Sequence, residues 1–200
     1  MKKYLIPAIL LLLIGSSIYI RHQILAPARA AARDLEALNG LTVGKTTEAE
    51  LLSRDAFQTE ELNCFGEVCM YRTQRENKLL SALHLAAPAS LITTVTVRNG
   101  LVTHVNVNMS RAGMLPLAVS QTGSLPAGCV SPCVSKAFPA TKFWGVNFLL
   151  GPESEFRNRW PQIFDAQCLS RFRGCNSYSE VMPLAKELNL DAALKVIRDY

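Results

Sequence analysis

The run from Tyr4 to Ile20 holds 17 residues without a charge, flanked by Lys2 and Lys3 before it and Arg21 after it. No other feature limits the chain as much. The run stands at the lower edge of the roughly 17–25 residues that cross a bilayer as a helix. It exceeds the apolar stretch of about 7–15 residues usual in a cleaved export signal. Residues 1–21 therefore read as an uncleaved anchor, in the membrane through residues 4–20. Ala28-Arg29-Ala30 has the small-x-small pattern of a cleavage site, so a product secreted after cleavage near Ala30 is the alternative. No cysteine follows the apolar run where a lipidated N-terminal cysteine would stand.

Charge orients this segment weakly, because Lys2 and Lys3 on one side face Arg21, Arg29 and Arg33 on the other. Sulfur is the better guide. The 6 cysteines fall into three close pairs, Cys64/Cys69, Cys129/Cys133 and Cys168/Cys175. An even number behind an export segment is the pattern of disulfides formed in an oxidising compartment. Connectivity is open on sequence grounds; pairing between near neighbours is the expectation. None of the pairs has the two-residue spacing of a zinc ribbon or a thioredoxin-like motif, and His22, His84 and His104 stand at no ligand spacing to them. The reading is a single-pass protein of the cytoplasmic membrane, its domain on the extracytoplasmic, periplasmic side. No metal and no cofactor are expected.

The formal net charge of +5 includes Lys2 and Lys3. What remains forms no dense basic stripe of the kind that phosphate backbones require, so nucleic acid is not an expected partner. Gly44-Lys45-Thr46 imitates the end of a nucleotide-binding loop, but the motif needs a glycine five residues before Gly44, and that residue is Asn39. The stretch before it, "ARDLEALN", is helical rather than a buried strand. No nucleotide is expected. There is no G-x-S-x-G elbow, no spare thiol beside a histidine, and no acid flanking His84 or His104. Glu153, Glu155 and Asp165 are carboxylates without a constellation. The expectation is a protein without a catalytic set.

Residues 22–40 read as an Ala-rich stalk helix continuing out of the membrane, or a linker, that stops at Asn39-Gly40. Thr47 and Glu50 have the spacing of a capping box at the start of a short helix. Residues 69–75 and 79–86 read as strands on either side of a turn at 76–78. The hairpin "LITTVTVRNGLVTHVNVNM" admits two registers. A two-residue Asn99-Gly100 turn sets Val95 against His104 and mixes the faces. A three-residue Arg98-Asn99-Gly100 loop sets Val95 against Thr103 and gives one apolar face, so it is preferred. The opposite face then carries Thr94, Thr96, Arg98, His104, Asn106 and Asn108; it is either the solvated outer face usual for a sheet packed on one side, or a candidate interaction surface covered by a partner. Residues 110–142 read as a long loop with a short strand near "LPLAVSQ". A strand follows up to Gly151-Pro152, then a helix carrying Phe156, Trp160, Ile163 and Phe164 that Pro161 kinks or splits, with these side chains in the core. A last helix is expected from about Pro183 to Arg198.

"LTVGKTTEAELL" resembles the start of the small outer-membrane lipoprotein family of the β-barrel assembly machinery, and of the related domains of the beta-lactamase-inhibitor-protein type. The resemblance rests on Leu41, Val43, Gly44, Lys45, Thr46 and the acidic-apolar stretch Glu48 to Leu52, and spans residues 35–110. It implies two helices followed by an antiparallel meander, and a binding or scaffolding role. The chain departs from it in lacking the lipidated cysteine and in its half beyond residue 110.

These readings give an α+β protein: a transmembrane helix over 1–21, a stalk over 22–40, a helix-and-sheet module over 41–110, and a disulfide-stapled part over 111–200 packed on the same domain. The expected function is non-enzymatic: a protein–protein interaction or envelope-assembly module that meets another envelope protein through the polar sheet face or the Cys129–Cys133 loop. An envelope hydrolase with a scattered site, and an inhibitor or immunity-type protein blocking a secreted enzyme through the 110–142 loop, are the rivals.

Overall fold

The stalk helix continues out of the apolar run without a break, as the sequence allows. The computed structural model describes residues 2–57, 61–129, 133–137, 145–174, 176–185 and 187, and its first element, α1, runs unbroken from Lys2 to Leu38. From Leu10 to Gln23 the helix is exposed, from Ile24 to Pro27 it is half-buried, and Ala28, Ala31, Leu35 and Leu38 are buried. Those four recur at helical spacing and form the stripe that an amphipathic helix lays on a core. The part expected to be a stalk is thus the core helix of the domain. Its alanines have no bulk to hold it away from a sheet, so a segment that looks like a permissive spacer becomes a packing surface. The helix stops at Gly40, where φ is +77°.

α2 (Glu48–Leu52) begins with the expected capping box. The Thr47 hydroxyl accepts from the Glu50 N–H, and the Thr47 N–H donates to the Glu50 carboxylate at 2.7 Å. The Thr47 N–H, and the Thr47 hydroxyl that donates to the same carboxylate, hold the Glu50 carboxyl below its usual range. A 3₁₀ turn over Asp55–Phe57 follows, and Leu51 and Phe57 enter the core.

The sheet consists of β1 (Glu61–Phe65), β2 (Val68–Glu76), β3 (Ala89–Arg98), β4 (Leu101–Arg111), β5 (Leu117–Thr122), β6 (Cys133–Ala137) and β7 (Gly145–Leu150), in the order β1-β2-β3-β4-β5-β7-β6. The first five form an antiparallel meander; β7 joins β5 in parallel and β6 pairs antiparallel on the outside. The half of the chain beyond residue 110 therefore continues the same sheet.

Two expectations are corrected. The β3–β4 turn is the two-residue one: Asn99 and Gly100 both have positive φ, +52° and +73°, as a tight hairpin turn requires. The faces do not mix because the register shifts beside Val97. Val97 faces Val102, Thr96 faces His104, and Thr103 is the extra residue of a bulge. Residues 79–86 are not a strand: α3 (Lys78–Ala82) and a turn occupy them. Asn77 pins this excursion by donating to the Ala87 carbonyl and accepting from the Ala89 N–H, both at 2.9 Å. The helix carrying Phe156 and Trp160 is split, one of the two outcomes expected from Pro161, into a 3₁₀ turn at Glu155–Asn158 and α4 (Trp160–Ile163), with Pro161 in its first turn.

A 3₁₀ turn at Ala166–Ser170, α5 (Tyr178–Val181) and a 3₁₀ turn at Pro183–Ala185 complete the described chain. The rest of the helix expected from Pro183 to Arg198 lies outside the described residues, apart from Glu187. Phe156, Trp160, Ile163 and Phe164 join α1, Leu51, Phe57 and the inward residues of the sheet in one apolar cluster. The aromatic stripe is core, as its spacing implied.

One charged group sits inside that layer. Asp34 of α1 is 2% exposed. It takes two bonds from the Arg75 guanidinium, at 2.7 and 3.1 Å, and one from the Thr73 hydroxyl at 2.9 Å. Thr73 in turn meets Thr93 across the strands at 2.5 Å. The carboxylate is buried but fully engaged, the condition under which a buried charge is tolerated.

Candidate functional site

Alternation along the strands divides the sheet into two faces. Leu91, Thr93, Val95, Val97, Val105, Val107 and Met109 are buried beneath the helices. Ile92, Thr94, Thr96 and Arg98 of β3, with His104, Asn106 and Asn108 of β4, occupy the other face. There Thr94 opposes Asn106, Thr96 opposes His104 and Asn108 opposes Ile92. The structure thus brings the six polar residues named from sequence onto one surface, with Arg98 at its tip beside the hairpin turn.

Neighbouring strands extend it with residues that sequence reasoning missed. Arg72 lies opposite Thr94 and Gln74 opposite Ile92, while Ser120 lies opposite Asn106. The Asn106 amide donates to the Ser120 hydroxyl at 2.7 Å, and that hydroxyl donates to the Asn147 carbonyl oxygen at 3.0 Å. The signal was present as period-two alternation in "CMYRTQR", "LAVSQT" and "GVNFLL". Only the strand order shows that these strands are neighbours.

Exposure changes across the surface. Arg72 and Gln74 on β2 are exposed, Thr94, Thr96, His104, Asn106 and Asn108 are half-buried, and Ser120 on β5 is 1% exposed. The accessible part therefore lies over β2, β3 and β4. There the Asn108 side-chain carbonyl oxygen is buried without a hydrogen-bond partner. Burial holds the His104 imidazole below its ordinary pKa of 6.5, so it is neutral at pH 7 and presents one donor and one acceptor. Its neighbours across the strands are Thr96 and Thr122, and among the described residues it has no carboxylate partner. The surface as a whole offers amides, hydroxyls and a neutral imidazole, with Arg72 and Arg98 at its margins. It is equipped to exchange neutral hydrogen bonds over an area.

Grooves of about 340, 490 and 610 Å³ lie around α3, beside Asp34, and between α1 and the end of β2. Neither His84 nor His104 lines any of the three. His84 is exposed in the turn after α3 with φ at +56°. Among the described residues, no three histidine, cysteine or acidic side chains gather as a metal site.

The cysteines are placed as staples. Cys64 and Cys69 face each other across β1 and β2 and are bonded, with Cα atoms 4.1 Å apart. Cys129 and Cys133 are bonded at the start of β6, with Cα atoms 5.5 Å apart. Cys168 is also disulfide-bonded; its expected partner Cys175 lies outside the described residues. No described cysteine is free.

The Gly44-Lys45-Thr46 stretch is stitched into the hairpin. The Gly44 N–H donates to the Val102 carbonyl at 2.7 Å, the Thr46 N–H to Thr42, and the Glu48 N–H to Gly100. The Thr46 hydroxyl is bonded to the Thr42 N–H. A phosphate cradle needs convergent N–H groups without partners; here those groups are engaged within the fold.

Compared with protein-family models, curated proteins and solved structures, the chain matches none of them.

Proposed function

We propose that this chain is a membrane-anchored, extracytoplasmic binding module that presents the β2–β4 polar face to another envelope protein. The observation that carries this reading is the array of Thr94, Thr96, His104, Asn106 and Asn108 on one partly accessible face of the sheet. Hydroxyls, amides and a neutral imidazole there offer a partner both donors and acceptors.

The anchor rather than the cleaved signal is favoured by packing. Cleavage after Ala30 would remove Ala28 from the core and sever α1 immediately before Ala31, which is fully buried. The bonded cysteine pairs support an oxidising side of the membrane. Capped helix, turn at Gly44 and antiparallel meander are consistent with membership of the assembly-machinery lipoprotein family or its inhibitor-protein relatives, and that membership is part of the proposal.

The test is site-specific photo-crosslinking in the native membrane, with the photoreactive residue at Thr94 or Thr96 and, as a control, at Glu36, which is exposed on α1. A discrete adduct from both β3 positions, absent from Glu36, is the expected result. Absence of adducts from Thr94 and Thr96 would sink the interaction reading.

A further inference from the structure

Residue numbers along α1 give the height above the membrane. Its apolar run ends at Ile20, and the domain first packs on it at Ile24, about one helical turn or roughly 6 Å further along. At this level the groove between α1 and the end of β2 brings Gln23 and Ala26 together with Lys78 and Leu79 of α3. The turn that follows α3 is therefore at the membrane end of the domain. A second loop joins it, because the Arg173 N–H donates to the Leu85 carbonyl at 2.9 Å.

These two loops carry the side chains of a lipid-facing surface. Leu83 is 51% exposed and Phe172 is 65% exposed. Around them stand Lys78, Arg171 and Arg173, all exposed. Lys78 also approaches Glu76 at 3.5 Å, and Arg171 pairs with Asp165 at 2.5 Å. Arg173 has no acidic partner among the described residues. Apolar tips ringed by long cationic side chains suit the boundary between acyl chains and anionic headgroups.

We infer that the loops at 83–86 and 171–174 rest on the phospholipid surface, with Leu83 and Phe172 at the acyl boundary and Lys78, Arg171 and Arg173 on lipid phosphates. The inference builds on the anchor reading. The anchor's length also favours this contact: 17 apolar residues span about 26 Å, short of a hydrocarbon layer of about 30 Å, and a short span draws its flanking groups toward the bilayer.

The test uses the full chain in nanodiscs of phosphatidylcholine and phosphatidylglycerol, with and without bromine on the acyl chains. Three single variants, I14W in the apolar run, F172W in the loop and L101W at the distal hairpin, are each read as the tryptophan emission added to that of the wild-type chain. β3 separates its membrane-end residue Ala89 from Arg98, next to Leu101, by about 30 Å, which makes L101W the remote control. The expected result is strong quenching of I14W and F172W by brominated lipid, with L101W unchanged. Quenching of I14W without F172W would overturn the loop contact and leave the anchor standing. Quenching of none would remove both, and quenching of L101W would show a domain lying differently on the bilayer and overturn the contact as stated. Adding Lys78→Glu and Arg173→Glu to F172W reduces its quenching if these cations meet phosphates; unchanged quenching would overturn that part.

Discussion

Tyr71 extends from β2 beneath α2, where its hydroxyl donates to the Glu48 carboxylate. Burial, and then this carboxylate, push the phenol up to about 12 from its ordinary 10.0. The unfolded chain therefore loses this proton first. The associated stability is intact below about pH 10 and is lost as pH rises toward 12. Tyr71→Phe should cost about 1 kcal/mol at neutral pH through the missing hydrogen bond, and it should flatten the decline above pH 10. Urea titrations of both chains at neutral and alkaline pH measure the two effects; an unchanged alkaline limb would refute the assignment. At the same scale, Thr103 shows why the hairpin register was misread. Asn99-Gly100 announces a two-residue turn, yet pairing counted outward from it fails unless one residue is left out. A bulge has no residue signature of its own here, since Thr103 is an ordinary strand residue, so the pattern of faces was attributed to a longer loop.

Among the elements, α1 and β2 are joined by the Asp34–Arg75 pair and its Thr73 bond. Asp34→Ala leaves the guanidinium and hydroxyl without their acceptor under the helix. Arg75 is partly accessible, with 24% of its side chain exposed, so water softens the loss. A destabilisation of about 2–4 kcal/mol is expected, and chemical denaturation of the anchored chain in detergent measures it. A change under about 0.5 kcal/mol, the usual limit for surface substitutions, would mean that the pair does not fasten the helix. The capped α2, the β3–β4 strands, β5, β7 and the buried aromatics after β7 were legible because cap spacing and hydrophobic period are local. α3 was taken for strand because "LLSALHLA" is too short to display a helical period, and the Asn77 side chain that sets its geometry bonds twelve residues away. β1 and β6 were missed: each is a five-residue edge strand whose pairing is decided by its neighbour.

For the whole molecule, the largest revision is that the helix continuing from the apolar run is packed into the core and is no free-standing stalk. Alanine-rich composition argued for a spacer, and only the sheet beneath it reveals Ala28 and Ala31 as contacts. A chain beginning at Ala31 should therefore fail to fold stably, since it loses Ala28 and the half-buried turn at 24–27. Limited proteolysis of that truncated chain beside the full one is the check: equal resistance would restore the spacer reading and the cleavage alternative. The polar face was legible as a set of residues, but its extent was not, because Arg72, Gln74, Ser120 and Asn147 join it only through strand order.

The unbroken α1 also makes the domain a torsional follower of its own anchor. A flexible stalk would let the polar face turn toward any partner. A continuous helix fixes both its compass bearing and its elevation relative to the span. One residue inserted between Arg21 and Gln23 would swing the face by about 100° and lift it by about 1.5 Å. If the chain is anchored and binds through this face as proposed, the spacing of these few residues works as an indexing device, selecting which neighbour in the membrane plane the sheet can address.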